Sequence, residues 1–401
     1  MYCKPAIFAP LALQSIAQSP CTHPANGRAI YMLSNEHKNA VLALPIGRDG
    51  LFAPATGTLT ATGGAGMNGL NSSHQPSFPD ALFSQSSVTI AGNNLFAVNP
   101  GSDTVSMFAI DRRDPTKLTL VGEPAAVPGE FPVTVAVSAQ HRLVCVGTSG
   151  AVAGVSCARF SAQGIDAMDD IRIIDIGQTT PPVGPANTLS HVFFSGDEST
   201  VFATVKSNGE SSQAGLIAAF PVAASPHCGS GVSVGRQGLL SSLAGTALLF
   251  GSSTIPGSND LFVTDASFGA VVLTNGDADP ADAAFRVKGK GVIDGQLATC
   301  WVAVSTATRT AFVTDNFVDW LVEMSLEDAG VKSIVRLGPN GGLGLIDLRA
   351  AGRFVYALSP GDGAAPAAVK VVDVVARREV QHFRLEGIDF GKNSQGMALL
   401  M

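Results

Sequence analysis

Charge is scarce in this chain: Asp, Glu, Lys and Arg make up 14% of its 401 residues, and aromatic residues only 6%. A net charge of −7, with no Lys/Arg cluster to offset it, argues against a nucleic-acid surface. No apolar run approaches the roughly 18–20 residues of a transmembrane helix, so no membrane span is expected. Several catalytic signatures are also missing. There is no Gly-x-Ser-x-Gly elbow, no His-Glu-x-x-His helix, no P-loop and no Cys-x-x-Cys, which leaves serine-hydrolase, zinc and nucleotide chemistry without their usual sequence support. The seven histidines are scattered and no acidic cluster with Asn partners stands out, so neither a metal nor a cofactor is expected.

What is present is turn chemistry and short apolar runs. The 44 Gly and 23 Pro are spread throughout, and a 46% hydrophobic content allows a large buried core. Residues 187–222 hold one complete unit: the run Ser190 to Ser195, the turn Gly196-Asp197-Glu198-Ser199, a second run Val201 to Lys206, and a third from Gly215 to Val222. β-branched and aromatic residues between turns read as an antiparallel meander. Kin of the second run recur with apolar anchors at 30, 96, 144, 202, 262, 312 and 355, a spacing of 43 to 66 residues. Three visible strands and a weaker fourth, repeated seven times, predict an all-β, seven-bladed β-propeller forming a single domain over 1–401. The first copy lacks a preceding inner strand, whereas the chain finishes with the unpartnered run 396–401. This C-terminal strand is therefore expected to pair into the first blade and close the ring.

Six cysteines occur, at 3, 21, 145, 157, 228 and 300. Cys145 and Cys157 lie symmetrically about position 151, so a hairpin turning near Gly150-Ala151 sets them opposite one another for a cross-strand disulfide. Two buried free thiols are the alternative. Residues 1–27 form an N-terminal extension whose apolar stretch Ala6 to Leu13 faintly resembles a signal remnant but is interrupted by Pro5 and Pro10, ordinary ordered chain being the alternative. With the single sequon Asn71-Ser72-Ser73, this gives an expectation of a secreted glycoprotein.

Five stretches carry a family resemblance: 60–66 (TATGGAG), 94–108, 128–132 (PGEFP), 179–185 (TTPPVGP) and 262–269 (FVTDASFG). The chain from about residue 28 resembles the fungal lactonase-type seven-bladed propellers, labelled carboxymuconate-cyclase-like or 6-phosphogluconolactonase-like. The same broad propeller type is similar to the hetero-Diels–Alderases of tropolone sesquiterpenoid biosynthesis. The resemblance implies a propeller that is commonly secreted, and in some members a fungal surface antigen. The carboxylate-binding arginines expected for a carboxymuconate substrate do not stand out, because Arg28, Arg142 and Arg353 sit beside strand starts as turn residues do.

A propeller binds ligands in its central funnel, so polar or aromatic residues on inner strands and inter-blade loops are the candidates. His191, Ser190 and Asn187 are the catalytic candidates. Asp80, Gln85, Thr134, Trp301 and Gln395 are expected to bind substrate, with Glu130 and Asp347 in the wider set. His191 is read as a general base or hydrogen-bond donor, against the alternative of a buried, satisfied side chain. Alternation along the strand sends only one of Ser190 and His191 inward. Asp265 and Asp315 each end a Phe-Val-Thr-Asp run, the position of a structural turn cap.

Three functions are consistent with this pattern. The first is a cofactor-independent cyclase with an apolar pocket for a small lipophilic substrate, in its concrete form a hetero-Diels–Alderase joining a tropolone-type o-quinone methide to a polyene terpene. The second is a lactonase or muconate-type cyclase using His191. The third, a non-catalytic secreted propeller or antigen, predicts a funnel filled by the protein's own side chains.

Overall fold

The computed structural model describes residues 27–54, 57–208, 214–224, 231–275, 285–339 and 344–401. Cys3, Cys21, Cys228 and most of the expected N-terminal extension lie outside these residues. The described chain forms seven antiparallel sheets of four or five strands, with no helix among them. They are the seven blades of a β-propeller.

The repeat reads as continuous apolar runs because each blade is packed on both faces by its neighbours. The second strand of blade 1, Ala29–Leu33, is buried at every position, as are Leu143–Thr148 in blade 3 and Thr310–Asp315 in blade 6. The outermost strands face solvent. Val331–Arg336 buries a single side chain, which explains why the fourth strand is faint in sequence.

The inner strands are Gln395–Leu400, Val88–Ala91, Pro132–Ser138, Leu189–Phe194, Leu249–Thr254, Thr299–Ser305 and Ile346–Ala351, for blades 1 to 7. The first of these is the C-terminal strand. Leu400 pairs with Ala29, Leu399 with Ile30 and Ala398 with Tyr31, so the end of the chain closes the ring as the sequence predicts.

A backbone irregularity recurs at the start of five inner strands. The pairing skips Ser190 in blade 4, Phe250 and Gly251 in blade 5, Cys300 in blade 6, Asp347 in blade 7, and Gly396 and Met397 in blade 1. Such bulges insert unpaired residues and re-aim side chains. The strict alternation expected for Ser190 and His191 is broken here.

Carboxylates cap the turns at the entry to a blade, and hydroxyls fasten blade to blade. Asp265 accepts the amides of Ala247, Leu248 and Ser267, and Asp315 those of Leu297, Ala298 and Phe317. Both act as turn caps. Thr204 Oγ1 donates to the Phe250 carbonyl of the next blade at 3.0 Å, and Thr264 Oγ1 likewise to Cys300. Cys145 pairs in register with Cys157, and the two form a disulfide across a Cα–Cα distance of 4.1 Å.

Candidate functional site

The centre of the propeller is occupied by the chain itself. Residues 79–87, which precede the inner strand of blade 2, run along the axis and bond to the surrounding blades. Gln395 Nε2 of blade 1 donates to the Pro79 carbonyl at 3.0 Å, and Ser84 Oγ to Val133 of blade 3 at 2.7 Å. The Gln85 amide donates to Ser190 of blade 4, while its side chain exchanges two bonds with the Val302 backbone of blade 6. Trp301 Nε1 donates to the Ser84 carbonyl at 3.0 Å, and Asp347 of blade 7 accepts the Ser86 amide at 3.4 Å. Blade 5 contributes by omission: a Cβ on Gly251 would lie 2.2 Å from Gln85 Oε1, so only glycine fits.

This axial segment reassigns most of the expected substrate residues. Asp80, Gln85, Thr134, Trp301 and Gln395 are all buried, and their polar atoms serve the segment or neighbouring strands. Asp80 caps the Phe83 amide at 2.9 Å, and Thr134 Oγ1 accepts the Val192 amide at 3.3 Å. Asn187 is a left-handed turn residue with φ 54°, its amide bonded to Ser207. Glu130 pairs with Thr180 in an exposed loop.

Sequence reasoning missed Lys206. Its Nζ is buried, donates to the Phe83 carbonyl and to Ser190 Oγ at 2.7 Å each, and sits 4.4 Å from the Phe250 ring centroid. Burial drives the Lys206 ammonium down to about 7 and the Asp80 carboxyl up to about 7, each partly restored by the other's charge. Burial also pushes the nearby Cys300 thiol well up. Ser190 is thus a relay between Lys206 and the Leu249 carbonyl, not a nucleophile presented to a ligand.

Below the axial segment, where the inner strands end, a cleft of about 260 Å³ opens. Ser86 and His191 line its buried end, Val137 and Phe194 its half-buried walls, and Glu198 its rim. Ser86 holds a positive φ of 65°, a conformation non-glycine residues adopt seldom. His191 Nε2 lies 3.0 Å from Ser86 Oγ, the spacing of a nucleophile and its base.

The wiring is the reverse of a catalytic dyad. The Ser252 amide donates to His191 Nδ1, so the ring proton must reside on Nε2 and point at Ser86. A base in this tautomer has no lone pair to offer the serine. Burial and the nearby Arg349 hold the imidazole down to about 3, so it is neutral. In this tautomer His191 acts toward Ser86 as a hydrogen-bond donor and not as a base.

Arg349, also missed from sequence, is the second donor to Ser86. Its Nη2 reaches Ser86 Oγ at 2.9 Å, while Nη1 bonds Asp347 and the Leu348 carbonyl. Asp347, at φ 42° in its bulge, also accepts the amides of Leu348 and Met397. Burial pushes the Asp347 carboxyl upward against Arg349 and three backbone amides. Those four donors on its two oxygens favour the carboxylate form. With both lone pairs of Ser86 Oγ filled by His191 and Arg349, its own hydrogen is left to donate. Nε and one Nη2 hydrogen of Arg349 bond to no acceptor among the described residues, and the side chain is 20% exposed. The arrangement presents donors without a free base.

No protein-family profile and no curated protein matches the sequence. Solved structures do share the architecture. A putative 6-phosphogluconolactonase from Bacteroides fragilis superposes with a TM-score of 0.59 at 10% identity, covering 96% of this chain and 100% of that one. A second, from Bacteroides uniformis, gives 0.55 at 13% identity over 92% and 99%. A functionally unknown protein from Desulfotomaculum acetoxidans gives 0.57 at 10% over 92% and 98%. At these identities the likeness is one of fold.

Proposed function

We propose that this propeller is a cofactor-independent cyclase acting on a small carbonyl compound in the lower cleft. The observation that carries the reading is the doubly occupied Ser86 Oγ, which places a hydroxyl donor beside the Arg349 guanidinium. Donors fixed before the reaction stabilise negative charge as it develops on a carbonyl oxygen, and a cycloaddition needs only that and orientation. In the concrete form, an o-quinone methide of tropolone type binds by its oxygen, and the polyene terpene lies across the apolar mouth formed by Val137 and Phe194. One C–C and one C–O bond form together, and no proton is transferred. The test is to generate the quinone methide beside the polyene with and without protein. Product whose rate and stereochemistry ignore the protein removes this reading.

Two observations favour other functions. The names of the Bacteroides neighbours support a lactonase. Hydrolysis requires a water-activating group, and Glu198 at the rim is the carboxylate placed nearest the cleft. Turnover of a lactone panel, lost in Glu198→Gln, would establish it. The filled axis supports a non-catalytic secreted propeller, for which no compound in either assay binds the cleft.

A further inference from the structure

We infer that the cleft selects neutral carbonyl ligands over carboxylates and phosphates. This rests on the cleft being a ligand site, as proposed above, and adds the charge class of what it accepts.

The argument is electrostatic. Arg349 is the cation next to Ser86, and its charge is cancelled by direct contact with the fully buried Asp347 carboxylate. His191 contributes no charge, because the Ser252 amide occupies its Nδ1 and fixes the neutral ring. On the upper side of the axial segment, Lys206 and Asp80 compensate each other. Among the described residues that line the cleft, Glu198 at the mouth is the acidic one. The whole chain carries a net charge of −7, which repels anions as they approach.

An anionic ligand would lose its hydration in this cleft and find a site whose net charge is zero or negative. A carbonyl oxygen has little hydration to lose. It needs only a donor, which Ser86 supplies from the cleft lining while Arg349 bonds to that serine's oxygen. Donors paired with cancelled charge suit an oxygen that is neutral when it binds and becomes negative only during reaction.

A matched pair of probes tests this: coumarin, a neutral planar lactone, and coumarin-3-carboxylate, the same ring with one negative charge. Titration of the intact protein at pH 7.5 should show coumarin binding at least about tenfold more tightly, a difference of about 1.4 kcal/mol. Ser86→Ala should abolish the coumarin signal. Glu198→Gln should raise carboxylate affinity about threefold, as expected for removal of one rim charge. Asp347→Asn should raise it further, and if that variant does not fold, the Glu198 variant still reports the charge effect. Carboxylate binding as tight as coumarin overturns the charge inference and leaves the cleft as a site. Binding of neither probe, or coumarin binding indifferent to Ser86→Ala, overturns the site itself.

Discussion

The backbone amide of Ser252 donates to His191 Nδ1 at 3.3 Å, and this one contact determines what the histidine can do. It fixes the proton on Nε2, directed at Ser86, and makes the ring a donor. Because the folded pKa lies below the ordinary 6.5, the unfolded chain binds the extra proton first. His191 therefore contributes stability that is complete above about pH 6.5 and declines as pH falls toward 3.

Unfolding free energy measured at pH 7.5 and pH 5.0 should fall by about 1–2 kcal/mol more in the wild type than in His191→Gln. Equal falls in the two proteins would refute the neutral assignment. The ¹⁵N shifts of the imidazole should report the Nε2–H tautomer throughout that range.

The axial segment should behave as part of the core. Gly251→Ala places a methyl group against Gln85 Oε1 and should cost about 1–3 kcal/mol, since overpacking forces neighbours to move. Gln85→Ala in the same background should recover part of that loss, because the two sites are in contact and their effects do not add. A double mutant showing the plain sum of the single effects would mean that the segment does not pack against blade 5.

Reduction or Cys145→Ser/Cys157→Ser replacement opens a loop with a sequence separation of 12 residues. Denaturant unfolding should show a loss of about 2–3 kcal/mol with the fold retained, as expected for a loop of that size.

Removal of residues 396–401 should unfold the whole domain in one step. The truncation deletes the ladder to Ala29–Leu33 and the Met397 amide that holds Asp347. An unchanged melting temperature would contradict closure by this strand.

The blade count, the closing strand and the Cys145–Cys157 pair were legible in the sequence because each depends on local pattern: apolar runs, turn residues, symmetry about a hairpin. Asp265 and Asp315 were readable as caps for the same reason. The site was not. Arg349 lies two residues beyond Asp347 in a run that otherwise reads as an ordinary inner strand, and its contact with Ser86 spans 263 residues. Residues 79–87 hold no repeat signal, so nothing local marked them as the axial filling. Lys206 looked like the polar end of a strand. Its backbone position is that of Ala266 and Asn316 in the next two blades, one residue past Asp265 and Asp315.

The recurring bulge has a consequence for how such a protein changes over time. Ser190, Cys300, Asp347 and Gly396 are four chemically unlike residues occupying one backbone device, each outside the regular pairing of its strand. Substitution at Ser190, Cys300 or Asp347 alters the interior at an unpaired position of the ladder, whereas Gly396, at φ 66° with no room for a Cβ beside Ser87 Oγ, is fixed as glycine. The ring of blades therefore behaves as a socket with interchangeable pins, in which new chemistry can be drafted one blade at a time while the architecture stays constant.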